Sequence, residues 1–444
     1  MDIIPIYIVY VGFAFFAFWW LPVRTASLLV FFGGWLLLPV GNYPPGNESH
    51  TFPYWITGLA VPSQMLINKA WIVPTTTILL ASLFNRSAIR EWRPSAFDMP
   101  ILIWCVWPLI AGLAVSGTSP APVVSSLYLL SSWGFTWLLG RIWFSDAAGQ
   151  LDLLKGIALS GIACLPIAVI EGFNQPALYA FFYEPHPFRF DGVERYFGFR
   201  PIGFFEHGNQ YGIWVVISAI TSIWLAYTMR KERHGRKFQV IAITTLMVAL
   251  ASQSVGAIIL GVLGLIFLAV WGRSFVLPVI GLAVGFLATT IILHISGIFP
   301  LEYIARQTEV GHMMISFMRD LGRGSFFWRI SQDIQSLDLI HSSPIFGLGT
   351  WNWWQPIDTR PWGLAFLIMG QFGIVGSALA YLSLVNGAFF KMIRQRMTPA
   401  WSMNGVSVLM ALIVFVAMSD ALLNSFLYFP ILIVAGALHR GNQN

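Results

Sequence analysis

The sequence predicts an all-α polytopic membrane protein with about 11–14 transmembrane helices. Hydrophobic residues make up 57% of the 444 residues and charged residues only 10%, whereas soluble domains carry about 25% charged residues. Apolar stretches of about 20 residues, the length that crosses a bilayer, recur along nearly the whole chain. The alternating strands of a membrane β-barrel are missing, so the spans are expected to be helices. Cys105 and Cys164 lie inside apolar runs, which predicts buried thiols rather than a disulfide or a metal site.

Thirteen apolar runs are candidate spans, and their spacing predicts the organisation of the chain. Residues 1–295 form a transmembrane bundle with outer loops at 41–66 and 173–208. A large polar loop follows at 296–361, and residues 362–444 form the C-terminal transmembrane helices. The runs are 3–20, 25–40, 67–84, 99–117, 122–143, 153–172, 209–229, 238–252, 254–272, 275–295, 362–389, 402–418 and 421–438.

The placement of lysine and arginine predicts which loops face the cytoplasm. The densest basic cluster lies at 230–237, and short loops rich in Lys and Arg remain on the cytoplasmic side. Alternation from this loop places 173–208 and 296–361 on the opposite, outer side, and the C-terminus inside. The orientation of the N-terminus stays open, because one span more or less would reverse it.

The outer loop 296–361 is the longest segment that cannot sit in lipid. A charged side chain at the centre of a bilayer costs roughly 2.5–3.5 kcal/mol, so this loop is expected in water or at the interface. Residues 325–341 are predicted to form an amphipathic helix on the outer leaflet, with Arg329 and Asp333 on one face. The charged residues and histidines of the loop are Glu302, Arg306, Glu309, His312, Arg319, Asp320, Arg323, Arg329, Asp333, Asp338, His341 and Asp358.

Tryptophan is abundant in and just after the same loop. Such residues are typical of the aromatic belt at a membrane interface. An aromatic face also suits the apolar face of a sugar ring, and both interpretations stay open for each residue. The tryptophans are Trp328, Trp351, Trp353, Trp354 and Trp362.

Polar residues also gather at the end of loop 173–208. Arg200, Glu206, His207 and Asn209 come directly before or at the start of an apolar run. An arginine at the outer mouth of a bundle suits a diphosphate, because its planar fork donates two parallel charge-assisted hydrogen bonds. The alternative is an interfacial arginine that snorkels to water or pairs with Glu206.

Three stretches around these loops combine arginine, proline and glycine at defined spacings. They run from Arg200 to Asn209 (RPIGFFEHGN), from Arg329 to Gly349, and from Leu364 to Gly376 (LAFLIMGQFGIVG), and a weaker fourth is Ser254-Val-Gly-Ala257. In order and spacing they resemble the motifs of the O-antigen ligase/polymerase superfamily, whose members move lipid-linked glycans at the outer face of bacterial inner membranes. The fourth stretch has valine where that superfamily usually has arginine.

The resemblance implies a GT-C-like glycosyltransferase bundle in the bacterial inner membrane, with its active site facing the periplasm. The implied reaction is polymerisation of an O-antigen or exopolysaccharide: a growing glycan moves from undecaprenyl diphosphate to another lipid-linked repeat unit. The implied partners are the undecaprenyl-diphosphate-linked glycan and the bilayer, with a chain-length regulator and a flippase as candidate protein partners. Nucleic acid, cofactors and metal ions are not expected.

The reaction needs positive charge for the diphosphate and a base for the acceptor hydroxyl. Under the resemblance, Arg200 and Arg329 are predicted to bind the diphosphate. Further candidates for this role are Arg319, Arg323 and Arg360. The candidates for the base are Glu206, His207, Asp333 and His312. Glu206 and His207 lead, because they lie within the matched Arg200 stretch.

One departure from the superfamily bears on the reaction. Its ligases carry a histidine eleven residues before the glycine that corresponds to Gly373, and this sequence has Trp362 there. This favours a polymerase over a ligase that attaches glycan to lipid A-core or protein. The alternative from another class is a transporter or flippase of lipid-linked oligosaccharides, which would bury ionisable residues within the membrane. Asp420 and Asn424 come nearest to that pattern, and a turn position explains them more simply.

Overall fold

The computed structural model of the protein is helical almost throughout. A hairpin of two short strands, Glu194–Arg195 (β1) and Gly198–Phe199 (β2), is the only sheet in the part of the chain that the structure describes. The chain is therefore an all-α protein. The structure describes residues 4–40, 68–115, 121–175, 177–183, 194–232, 235–296, 298, 306–320, 325–350, 353–357, 359–422, 424 and 430–439.

Six of the described helical segments are long and apolar enough to cross a membrane. This makes the chain a multi-pass membrane protein, as the sequence predicts. The predicted total of 11–14 spans also counts shorter runs, and it stays a prediction. The six are Ala96–Val115, Pro122–Trp143, Ala147–Phe173, Gly208–Thr228, Leu364–Arg394 and Met403–Ala421; shorter apolar helices are Ile4–Trp20, Val23–Leu37, Lys69–Phe84 and Val255–Val270.

Each of the thirteen apolar runs contains a helix, so the predicted positions of the helices agree with the structure. The helices before the Arg200 stretch are α1 (Ile4–Trp20), α2 (Val23–Leu37), α3 (Lys69–Phe84), α4 (Arg86–Glu91), α5 (Met99–Val115), α6 (Ala121–Leu129), α7 (Phe135–Trp143), α8 (Ala147–Ala163), α9 (Leu165–Phe173) and α10 (Leu178–Phe182). Those after it are α11 (Gly208–Thr228), α12 (Gly235–Ala251), α13 (Val255–Val270), α14 (Val276–Ile295), α15 (Glu309–Asp320), α16 (Ser325–Gln335), α17 (Leu337–Ser342), α18 (Leu364–Arg394), α19 (Val406–Ala421) and α20 (Pro430–Ala437).

The helix α11 lies in the interior of the bundle, where it packs against α8, α12, α13 and α19. Nearly all of its first four turns is buried. Elsewhere glycine allows close helix contacts: a Cβ at Gly140 of α7 or at Gly436 of α20 would overlap a backbone oxygen of the other helix. The Arg200 stretch leads directly into α11. The packing of α11 inside the bundle therefore fixes where that stretch lies.

The amphipathic segment 325–341 forms two helices, α16 and α17, so the prediction of a single helix is wrong at Ser336. The backbone N–H and the hydroxyl of Ser336 both donate to the carbonyl oxygen of Asp333, at 3.2 and 2.6 Å. Serine side chains compete in this way for backbone groups, which interrupts regular α-helical pairing.

The apolar face of this segment also lies elsewhere than expected. Leu337 and Ile340 are buried in a cluster with Trp353, Trp354 and Phe366, so this part of the face packs on protein and not on a lipid surface. The helix with an exposed apolar stripe is α15, at three- and four-residue spacing. Its exposed apolar residues are Val310, Met313, Met314 and Phe317.

The long helix α18 is interrupted at Gly373, which has φ +71° and ψ −177°. At the interruption, backbone N–H and carbonyl groups of α18 are free of helical hydrogen bonds. The loop that precedes α18 forms hydrogen bonds with them instead. The N–H groups of Leu348 and Gly349 donate to the carbonyl oxygens of residues 370 and 371 at 2.8 and 2.9 Å, and the N–H of Ile374 donates to Pro344 at 2.8 Å. The second and third sequence motifs therefore pack directly against each other, with their backbone groups satisfied within protein.

Replacing Gly373 with alanine is expected to destabilise the protein. A Cβ there would overlap the carbonyl oxygen of Ile345, and the positive φ alone costs a non-glycine residue about 1–3 kcal/mol. The matched control is Gly281→Ala in α14, where a Cβ would meet no other atom within 4 Å. Thermal unfolding in detergent should show a lower melting temperature for Gly373→Ala only. Equal melting temperatures for the two variants would contradict this account of the break.

The predicted outer loops are described in part. The segment 41–66 lies outside the described residues. Within 173–208, α10 is followed by the β1–β2 hairpin, where the Gln253 side chain donates to and accepts from the backbone of Phe197, both at 3.1 Å. The cysteines Cys105 and Cys164 are buried and free, which confirms the prediction of buried thiols.

Candidate active site

Two arginines from different loops meet on a pair of asparagine side chains. Arg200 donates from Nη2 to Oδ1 of Asn209, and to Oγ of Ser254 at 3.1 Å. Asn209 in turn donates from Nδ2 to Oδ1 of Asn424 at 2.7 Å, and Arg329 donates from Nη1 to the same oxygen. The two sequence-predicted arginines thus belong to one hydrogen-bonded network.

The Arg200 side chain is positioned by the loop that precedes α11. The carboxylate of Glu171 accepts the N–H groups of Ile202 and Gly203 at 2.8 and 2.7 Å, which anchors this loop to α9. Glycine at 208 lets the guanidinium pass close to the helix, because a Cβ there would lie 2.6 Å from Nε of Arg200. The residues from Arg200 to Asn209 therefore help to fix the position of the Arg200 side chain.

Asn424 joins the two halves of the network, and its amide is oriented by Asp420. Nδ2 of Asn424 donates to Oδ1 of Asp420 at 2.9 Å and to the Asp420 carbonyl oxygen at 3.2 Å. Its Oδ1 is thereby left to accept from Asn209 and Arg329. A simple turn position is therefore an incomplete explanation of this pair. The sequence signal that could have identified this pair is its spacing. Asp420 and Asn424 are four residues apart at the end of an apolar helix, which places both on one face.

Asp333 lies buried beside two arginines. Its Oδ1 accepts the backbone N–H groups of Trp362 and Gly363 at 2.7 and 3.2 Å. Burial raises the pKa of Asp333 to about 7, against the opposing effects of these hydrogen bonds and of the positive charges of Arg329 and Arg360. Near neutral pH this carboxyl group can both accept and release a proton.

Trp362, which stands where the resemblance would place the ligase histidine, lies close to the guanidinium groups of both Arg329 and Arg360. The Cζ atoms of the two arginines are 5.1 and 5.3 Å from the ring centroid, within the range of cation–π attraction. Burial lowers the pKa of Arg360 to about 9, with Asp333 opposing the shift, so the side chain keeps its charge at neutral pH. The predicted helper Arg360 is thus brought to the Arg329 side of the network.

The two leading base candidates have other contacts. Oε1 of Glu206 lies 3.7 Å from Nζ of Lys69, and both side chains are buried. Burial raises the pKa of Glu206, and Lys69 opposes this effect. His207 is the N-cap of α11 and accepts the N–H of Asn209 at Nδ1, at 3.0 Å. The structure thus gives Glu206 an ion-pair partner other than Arg200, and gives His207 a role in orienting Asn209.

The remaining candidates lie apart from these contacts or outside the described residues. Arg319 and His312 are exposed on α15, and Arg323 lies outside the described residues. The charge of Asp333 interacts with both Arg329 and Arg360. Asp333 therefore replaces Glu206 and His207 as the leading base candidate.

Comparison with known proteins gives no match: no family model, no curated protein and no solved structure is detectably similar to this chain. The superfamily resemblance accordingly rests on the short motifs alone. The chemistry of the site is inferred from its residues. Three guanidinium groups suit an anion with several oxygens, such as a diphosphate, and Asp333 supplies a proton acceptor.

Proposed function

We propose that this protein is a glycosyltransferase of the bacterial inner membrane that polymerises a surface polysaccharide, an O-antigen or an exopolysaccharide. It transfers a growing glycan from undecaprenyl diphosphate to a lipid-linked repeat unit at the periplasmic face, on a GT-C-like bundle. The observation that supports this most is the network in which Arg200 and Arg329, from two separate motifs, share Asn424 through Asn209.

The position of these arginines suits a ligand that is part lipid and part anion. Arg200 precedes the interior helix α11, and Arg329 lies on α16, between spans. A polyprenyl chain stays in the bilayer while its diphosphate reaches groups at the ends of the helices. Guanidinium forks bind such phosphates by paired charge-assisted hydrogen bonds. A soluble substrate would not require a site joined so closely to the spans.

In the proposed reaction, the acceptor hydroxyl oxygen attacks the anomeric carbon of the donor glycan. The bond between that carbon and the diphosphate oxygen breaks, and undecaprenyl diphosphate leaves with the bonding electron pair. Arg200, Arg329 and Arg360 stabilise the charge that develops on the leaving group. Asp333 takes the proton of the acceptor hydroxyl.

A second candidate function, transport of lipid-linked oligosaccharides, has its own support. The buried Lys69–Glu206 pair and the broken helix α18 are features that transporters place in their cores. The break at Gly373 is, however, closed by backbone hydrogen bonds to the loop Pro344–Gly349. These bonds engage the carbonyl oxygens of residues 370 and 371 and the N–H of Ile374, which a cargo would otherwise have to reach. This favours the enzyme.

Deletion of the protein's gene tests the proposal against its alternatives. We expect single repeat units at the cell surface in place of long chains, read as the loss of the glycan ladder on gels. Long chains that accumulate on undecaprenyl diphosphate would instead show a ligase. Repeat units that accumulate on the cytoplasmic side would show a transporter. Restoration by the wild-type gene and by an Arg195→Lys variant, altered at an exposed arginine of β1, is the control.

A further inference from the structure

A half-exposed tryptophan adjoins the arginine site. Trp328 directly precedes Arg329 on α16, and 48% of its surface is exposed. Its ring centroid lies 5.5 Å from that of Trp362, with the two planes inclined at 56°. The Cζ atoms of Arg329 and Arg360 lie 5.1 and 5.3 Å from the centroid of the Trp362 ring. The two indoles and the two guanidinium groups therefore form one contiguous cluster, and the Trp328 indole is its exposed surface.

This cluster is held in place by the network. The backbone N–H of Trp362 donates to Asp333 at 2.7 Å, and the Arg329 guanidinium is held by Asn424. The carbonyl of Trp328 accepts from Oγ of Ser331 at 2.8 Å within α16. A preorganised surface of this kind loses little conformational freedom when a ligand binds.

A membrane-interface belt would account for an exposed tryptophan, but not for its contact with a second tryptophan that lies close to two arginines. Exposed indole faces attract the apolar face of a pyranose ring, and an adjacent guanidinium pair attracts phosphate oxygens. We propose that the exposed Trp328 indole, supported by Trp362, forms a sugar subsite, which binds the pyranose ring attached to the diphosphate that Arg329 and Arg360 hold. This assignment rests on the proposed function.

Binding of two ligands to the purified full-length protein tests the subsite. One ligand is undecaprenyl diphosphate without sugar, and the other is undecaprenyl diphosphate that carries an oligosaccharide repeat unit. Trp328→Leu should weaken binding of the sugar-bearing ligand roughly tenfold, the upper range for an aromatic contact, and leave binding of the sugar-free ligand unchanged. Trp328→Phe should retain most of the affinity. Trp20→Leu, at an exposed tryptophan of α1, should change neither.

The result that overturns the subsite is distinct from the result that overturns the function. If Trp328→Leu weakens both ligands equally, or neither, Trp328 is not part of a sugar subsite. If Arg329→Lys weakens both ligands at the same time, the diphosphate site and the proposed function still stand. If the wild-type protein binds neither ligand, both proposals fail. Elution of Trp328→Leu and Trp328→Phe as monodisperse species by size-exclusion chromatography shows that the comparison concerns folded protein.

Discussion

Replacing Arg329 with lysine is expected to slow chain extension about a hundredfold, and Arg200→Lys should do the same. Lysine keeps the positive charge but cannot donate two parallel hydrogen bonds to phosphate oxygens. Loss of one contact made mainly in the transition state costs on the order of 3 kcal/mol, which corresponds to that factor in rate. The measurement is the initial rate of chain extension by purified protein in proteoliposomes, with a lipid-linked repeat unit as substrate.

The matched control is Arg195→Lys, an exposed arginine in the same loop as Arg200, which should extend chains at the wild-type rate. Expression and membrane insertion should be normal for all three variants, because none of these residues lies in an apolar span. A well-expressed Arg329→Lys or Arg329→Ala variant that makes chains of normal length and amount would remove Arg329 from the mechanism.

The shared asparagines add a test of the joint site. Because Arg200 and Arg329 are linked through Asn209 and Asn424, the effects of the two lysine substitutions should not add. Residues of one hydrogen-bond network typically show interaction energies of about 0.5–3 kcal/mol in a double-mutant cycle. Strict additivity in the double variant would mean that the two arginines act at separate sites.

Replacing Asp333 with asparagine is expected to lower the rate by about two to four orders of magnitude, the contribution of a positioned general base. The carboxyl must be ionised to accept the proton of the acceptor hydroxyl. Since its pKa is raised to about 7, the wild-type rate should fall as the pH drops through 7. Arg360 lowers this pKa by its positive charge, so Arg360→Gln should move the midpoint of the pH profile to higher pH, whatever its residual rate.

The control is Asp338→Asn, an exposed carboxylate on the neighbouring helix α17, which should leave both the rate and its pH dependence unchanged. A wild-type rate that is constant between pH 5.5 and 8.5 would show that no group with the raised pKa of Asp333 controls the reaction. Wild-type activity of Asp333→Asn at pH 7 would exclude the residue as the base.

The sequence alone determined the positions of the apolar helices. A run of about 20 apolar residues in lipid has to satisfy its own backbone hydrogen bonds, and within a single segment only a helix does so. Each of the thirteen runs accordingly contains a helix. The errors lie where a side chain competes with the backbone, as Ser336 does, and where an interruption depends on a partner far along the chain, as at Gly373.

The sequence also singled out Arg200 and Arg329, through the resemblance of their motifs, and Asp333, through its position four residues after Arg329 on the predicted amphipathic helix. Their contacts depended on tertiary structure. Residues 200 and 424 are joined through helix packing, which no local periodicity encodes. The same packing paired Glu206 with Lys69.

The pKa of Asp333 and the hydrogen bonds of Asn424 also depended on tertiary structure. Burial raises the pKa of Asp333, although the hydrogen bonds from Trp362 and Gly363 oppose the rise. A carboxyl group exposed in a polar loop would have kept an ordinary pKa. Asn424 is a neutral residue near a turn, yet its side-chain oxygen accepts hydrogen bonds from both halves of the network. Local sequence determines which residues are charged and which segments are helical, whereas pKa values and hydrogen-bond partners follow from the neighbours that the fold brings into contact.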